Sequence, residues 1–445
     1  MMKGHLAALA ATTAVIVGAS YIGWSPPDHK EGGIPTSRSH GQAAALDRQE
    51  LDRLIGSYEQ RVGARPNEAD FAFLGQLYMQ RGRQTGDVQT YLQAEQAVKR
   101  ALTLAPDDAG VRLQLAGVRY TTHDFPGALD LAQRVLGEAP DSVSARIIVG
   151  DAQMETGHYG LADDAYKQVA STSPHAPAIE VRQARLAFIQ GNVEEARRLA
   201  ALAEDDAVGS ALGGPDLAFY EAFRGQVEFD TGHYDRAVAV YNAALEEAPD
   251  YYVALAGLAK TRSAQGHRDE AIALYERAVK IIPQPEFVAA LGDLYALNGD
   301  KVHADLEYGT VAVIAKLAAI NRQVYNRQLA LFDADHARSP EEALRLSETE
   351  LQVRKDVYGY DAYAWALYQN RRFADARKAE DQALAIGTVD AKLLYHSGLI
   401  AKSLGDTTRA QADLGRALAI NPGFDALQAR TARTAVDSLS SGAQP

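Results

Sequence analysis

Prolines set the period of this chain. Pro106, Pro140 and Pro174 are evenly spaced, and Pro249 and Pro283 repeat the same interval. Other residue types keep step with them. Ala128, Ala162, Ala237 and Ala271 each lie twelve positions before a proline, and Tyr166, Tyr241 and Tyr275 lie eight before. Gly157, Gly232 and Gly266 lie seventeen before. Each position has a physical reading. The small residues let two helices approach closely, and the aromatic fills the gap between them. The mid-unit glycine suits the left-handed residue just past a helix end. The proline stops the second helix, because it lacks an N–H and restricts the residue before it. One unit is therefore two antiparallel helices. A lone unit cannot bury its apolar face, so units must stack.

On these residues the chain resembles the tetratricopeptide-repeat family, whose helix–turn–helix unit is about 34 residues long, the proline interval seen here. The clearest unit runs from Tyr252 to Pro283, with Leu255, Leu258, Ala259, Gly266, Ala271, Tyr275 and Ala278 in place. Ala391 to Pro422 is nearly as clear. The first unit carries extra residues around Gly82–Tyr91, an extension lies near Asp205–Pro215, and Lys316–Asp356 is degenerate. Leu46–Val62 reads as a leading half-unit and Phe424–Leu439 as a terminal capping helix. The resemblance implies an all-α fold, a right-handed helix–turn–helix superhelix, over residues 45–439, with a short disordered tail at 440–445.

The N-terminus differs in kind. The stretch from Leu6 to Trp24 carries no charge and is preceded by Lys3. A run of that length spans a bilayer as a helix, and it also fits a signal peptide with small residues near Ala19. Residues 1–24 are therefore expected to be a signal peptide or membrane anchor, and the Pro/Gly/Ser/His-rich residues 25–44 a linker. The expected location is outside the cytoplasm, periplasmic, extracellular or anchored to the outer face of the membrane. Any membrane contact is expected through residues 6–24 only. The chain also resembles exported bacterial members of the repeat family.

Composition narrows the function. The formal net charge of −13 argues against a main role in holding nucleic acid. The absence of cysteine removes disulfides, thiolate metal sites and cysteine nucleophiles. There is no Gly-rich phosphate loop, His-Glu-x-x-His or Gly-x-Ser-x-Gly. His158, His233 and His267 follow the mid-unit glycine, which suggests a turn role. Asp333, Asp335 and His336 could hold a cation, but they read better as an acidic turn before a helix opening at Pro340. No metal and no cofactor is expected, and an enzyme using that cluster is the third choice.

The family resemblance places partner contacts on the concave face, on the first helix of each unit. Tyr120, Phe188, Phe229 and Tyr368 fall at the twelfth position of four units, Trp365 at a ninth and Tyr395 at a fifth. None of the ninth positions is Asn, so the family's carboxylate clamp for chaperone tails is absent. The expectation is a non-catalytic scaffold that binds another protein through these six aromatics. A polysaccharide-binding factor, stacking the rings on sugars, is the alternative.

Overall fold

The computed structural model describes residues 48–85, 87–320 and 326–441. The expected signal or anchor at 1–24, the linker at 25–44 and residues 442–445 of the tail lie outside them. Among the described residues there are 22 helices and no strand. A single helix, α1 (Arg48–Ala64), comes first. Ten antiparallel pairs follow. Pairs 1 to 4 are α2 (Glu68–Thr85) with α3 (Val88–Leu104), α4 (Ala109–Thr121) with α5 (Phe125–Glu138), α6 (Val143–Glu155) with α7 (Tyr159–Thr172), and α8 (Pro177–Ile189) with α9 (Val193–Gly209). Pairs 5 to 7 are α10 (Pro215–Asp230) with α11 (Tyr234–Glu247), α12 (Tyr252–Ala264) with α13 (Arg268–Ile281), and α14 (Pro285–Leu297) with α15 (Lys301–Ile320). Pairs 8 to 10 are α16 (Asn326–Asp335) with α17 (Pro340–Val353), α18 (Val357–Gln369) with α19 (Phe373–Ala383), and α20 (Ala391–Ser403) with α21 (Thr407–Ile420). A last helix, α22 (Gln428–Ser440), closes the array. No helix among the described residues is long and apolar enough to cross a membrane.

The turn inside each pair follows from its residues. In pair 3 the Gly157 N–H bonds to the Met154 carbonyl and the His158 N–H to the Gln153 carbonyl, with Gly157 at φ +80°. That is the double bond of a Schellman ending, which satisfies carbonyls the helix leaves open. Gly191 and Gly232 repeat it. His158 and His233 turn their Nδ1 to Thr156 and Thr231 Oγ1, each at 3.0 Å, so the recurrent histidines belong to the turn. In pairs 2 and 9 the left-handed place is held by His123 (φ +64°) and Arg371 (φ +58°), a conformation costing a non-glycine residue about 1 kcal/mol. Side-chain caps open many helices, among them Asp108 on the Val111 N–H (2.8 Å) and Asp356 on the Gly359 N–H (2.7 Å).

The irregular stretches remain helical. The extra residues of the first unit lengthen α2 to 18 residues, and the extension near Asp205 lengthens α9 to 17. The degenerate stretch holds pair 8, whose α16 is only 10 residues long.

The array coils until its own edges meet. The turns of pairs 3, 4 and 5 dock against the loops that follow pairs 8, 9 and 10. Tyr159 Oη accepts the Val357 N–H at 2.8 Å, and Thr388 Oγ1 donates to the Ile189 carbonyl at 2.6 Å. Asn421 Nδ2 donates to the Phe229 carbonyl at 2.8 Å, and Asn421 Oδ1 accepts from Tyr234 Oη at 2.5 Å. These partners are 187 to 199 residues apart in sequence. Glycine at the three turns serves the seam as well as the turn. A Cβ on Gly157, Gly191 or Gly232 would overlap the carbonyl oxygen of Lys355, Gly387 or Ile420, whereas Gly266, in the same turn of pair 6, faces open space. Apolar packing crosses the seam too: Phe188, Ile189 and Val227 share a core with Val357, Ala383 and Leu393. The superhelix therefore encloses a lumen rather than an open groove.

Candidate functional site

The lumen is lined by first helices, the ones the repeat pattern turns inward. Its floor is an ion network that joins the two halves of the chain. Glu155, at the end of α6, is fully buried; its carboxylate meets Arg185 at 2.9 Å and Arg354 at 3.0 Å. Arg327 contacts Asp356 at 2.6 Å and Glu350 at 3.4 Å. Arg354 donates to His123 Nε2 at 3.0 Å. Three guanidinium groups thus face three carboxylates, so the network is neutral. Burial alone would raise the Glu155 pKa; Arg354, Arg185 and Arg327 outweigh it and hold the group at about 2. Burial, reinforced by Arg354, pushes His123 well below the usual imidazole value, consistent with a neutral ring that accepts a hydrogen bond.

Beside this network lies a cavity of about 320 Å³. Its walls come from α8, α10, α12, α16, α18 and α20, on both sides of the lumen, and include Phe188, Phe223, Tyr251 and Tyr358. Three cations line it, and each is engaged: Arg185 by Glu155, Arg327 by Asp356, and Lys392 by Asp335 at 3.0 Å. Asp361 holds His396 Nδ1 at 2.7 Å. Two further carboxylates, Asp230 and Asp390, line the same space. Asp390 caps α20 through the Lys392 N–H at 2.8 Å. Burial, with a smaller contribution from Asp390, lifts Asp230 to about 7 against the pull of Lys260. The cavity is therefore aromatic-walled, with two carboxylates that none of its lining cations engages, a setting suited to a cationic group on an apolar stem.

The six aromatics singled out by the repeat positions do not form one stripe. Phe188 lines the cavity. Tyr120 is half-buried, with its ring edge on Phe125 at 5.5 Å. Phe229 is 2% exposed, packed in a core with Tyr241 and Leu258 under the Lys260 ammonium, which sits 4.5 Å from its ring centre. Trp365, Tyr368 and Tyr395 form a separate cluster. Trp365 is 3% exposed, stacks with Tyr368 (4.7 Å) and His396 (4.2 Å), and donates Nε1–H to Asp335 at 2.8 Å. Tyr395 packs on Phe424 at 5.5 Å.

The Asp333–His336 stretch also disperses. Asp335 accepts from Trp365, Lys392 and Gln428, while His336 turns to Asp293 at 2.8 Å and to the Phe332 carbonyl. The two side chains point at different partners, so they do not converge on one point. The features that sequence reasoning passed over are Arg354, Arg327 and Asp390, which sit in linking segments and short helices where the repeat carries no signal.

Tetratricopeptide-repeat family models match residues 86–143, 150–211, 228–294 and 391–424. No curated protein sequence matches the chain. Among solved structures, the human IFIT1 dimer with PPP-AAAA is similar over 84% of this chain and 95% of that one, at 13% identity and a TM-score of 0.47. Yeast Tom70 is similar over 89% and 94%, at 12% identity and a TM-score of 0.37. The APC/C hetero-tetramer Cut9-Hcn1 is similar over 88% and 94%, at 15% identity and a TM-score of 0.32.

Proposed function

The chain is a tetratricopeptide-repeat protein, and from that premise we propose that it is a non-catalytic scaffold whose partner protein engages the lumen at the Phe188 cavity. The observation that carries this reading is the cavity itself, bounded by first helices from six of the ten pairs. A basic side chain of the partner would find aromatic walls and the carboxylates of Asp230 and Asp390 there. Such an anchor in a desolvated pocket typically dominates binding energy. Sugar stacking on the predicted rings is less well supported, because Trp365 already carries two stacked rings.

The test is capture by the tagged full chain from cytoplasmic and envelope extracts taken separately. The second extract addresses the expected location. Gln226 is exposed and lines the cavity, so Gln226→Trp should fill the space without disturbing the core. The expected result is capture weakened at least tenfold, with the melting temperature kept. Undiminished capture by Gln226→Trp would place the binding surface elsewhere.

A further inference from the structure

Pair 4 carries a second cluster, at the end of its hairpin away from the seam. His175 lies in the loop between α7 and α8, between Pro174 and Pro177. Glu180 is in the first turn of α8, and Asp206 is near the end of α9. Regular second helices such as α7, α11 and α13 stop after 14 residues. Asp206 is the fourteenth residue of α9, but this helix continues to Gly209, so Asp206 stands within the helix rather than at its last residue. One potential ligand atom from each residue lies within 4.8 Å of the others, and His175 Nδ1 is 3.1 Å from Asp206 Oδ2.

The independent sign is Glu180. It is 6% exposed, and its Oε2 is buried and meets no backbone or basic donor; the group within hydrogen-bond reach of the carboxyl is the Asp206 carboxylate. A buried carboxylate oxygen left unpaired beside a second carboxylate is unfavourable unless a proton or a cation joins them. We propose that His175, Glu180 and Asp206 form a divalent-cation site of the zinc type, clipping the inter-pair loop to the open end of pair 4. One imidazole nitrogen and two carboxylates suit Zn²⁺, whereas Mg²⁺ and Ca²⁺ prefer an all-oxygen shell. Metal–ligand bonds of about 2.0–2.2 Å would draw the three atoms slightly closer. His175 sits on an exposed loop and can supply that movement. Arg198, the nearby cation, is held by Glu195 at 2.7 Å.

The experiment is calorimetric titration of the metal-free full chain with Zn²⁺, alongside Mg²⁺ and Ca²⁺. The expected result is one saturable Zn²⁺ site assigned to this cluster and a raised melting temperature in saturating Zn²⁺. Glu180→Gln should keep the metal-free fold, since the amide has the size of the carboxyl, and weaken Zn²⁺ at least tenfold. His175→Ala and Asp206→Asn should do the same. No saturable binding would overturn the proposal. So would Zn²⁺ binding unchanged in Glu180→Gln and Asp206→Asn, because the ion would then be adventitious, held by histidines such as His29 and His40.

Discussion

Glu155→Ala is expected to destabilise the chain by about 3–5 kcal/mol, the usual cost of removing one partner from a buried ion pair. The carboxylate is fully buried and meets Arg185 and Arg354, themselves nearly buried. Its loss removes the carboxylate paired with Arg185 and leaves Arg354 to Glu350, 3.7 Å away. Because Arg354 belongs to the loop after α17, the variant also weakens the seam. Denaturant unfolding measures the effect, and Glu342→Ala, which breaks an exposed pair with Arg345, should change stability little. The pH dependence follows from the sign of the shift. Glu155 is held at about 2 in the folded chain, below its ordinary value of 4.5. Its contribution is therefore full above about pH 4.5 and is lost as pH falls through about 2. The Glu155→Ala deficit should shrink in the same window. A deficit below about 1 kcal/mol at neutral pH would mean that the network is solvated, as surface pairs are.

Phe229→Ala and Tyr275→Ala should destabilise to a similar degree, about 3–5 kcal/mol each, as large-to-small changes in a packed core do. The repeat positions assign these residues different jobs, Phe229 facing a partner and Tyr275 pairing helices. The structure places both rings in one core. The Phe229 ring also packs on Tyr234 at 5.7 Å, whose hydroxyl holds Asn421, so its loss loosens the seam next to pair 10. Thermal unfolding of the two variants decides the matter. A Phe229→Ala variant that melts like the parent chain would show that the ring lies on an accessible surface.

The sequence was most informative where the physics is local and repeated. Proline spacing, the mid-unit glycine and the inter-helix tyrosine each report an interaction completed within one repeat unit, so the helix pairs are legible in the sequence. The seam is different. Gly157, Gly191 and Gly232 carry the same turn signal as Gly266, yet only the first three press against a distant carbonyl. Of their partners, Lys355 and Gly387 stand in linking segments and Ile420 is the last residue of α21, places where the repeat sets no identity. Nothing local in Thr388 or Asn421 announces a bond to a residue in the other half of the chain. The same reason explains the aromatics. A twelfth-position ring faces the concave side in an open coil, but closure of the coil turns much of that side into interior. Trp365 shows the outcome: its indole N–H and its ring face are both engaged within the chain.

Closure of the array on itself is tested by one distance. The chain has no cysteine, so two introduced ones can be labelled without background. His158 and Lys355 are both exposed and flank the contact between Gly157 and the Lys355 carbonyl. Spin labels on His158→Cys and Lys355→Cys in the full chain, read by pulsed dipolar spectroscopy, should give a single short and narrow distance. A broad distribution centred at long distance, with pairs 3 and 8 held apart as in an open coil, would contradict the closed lumen and every site built on it.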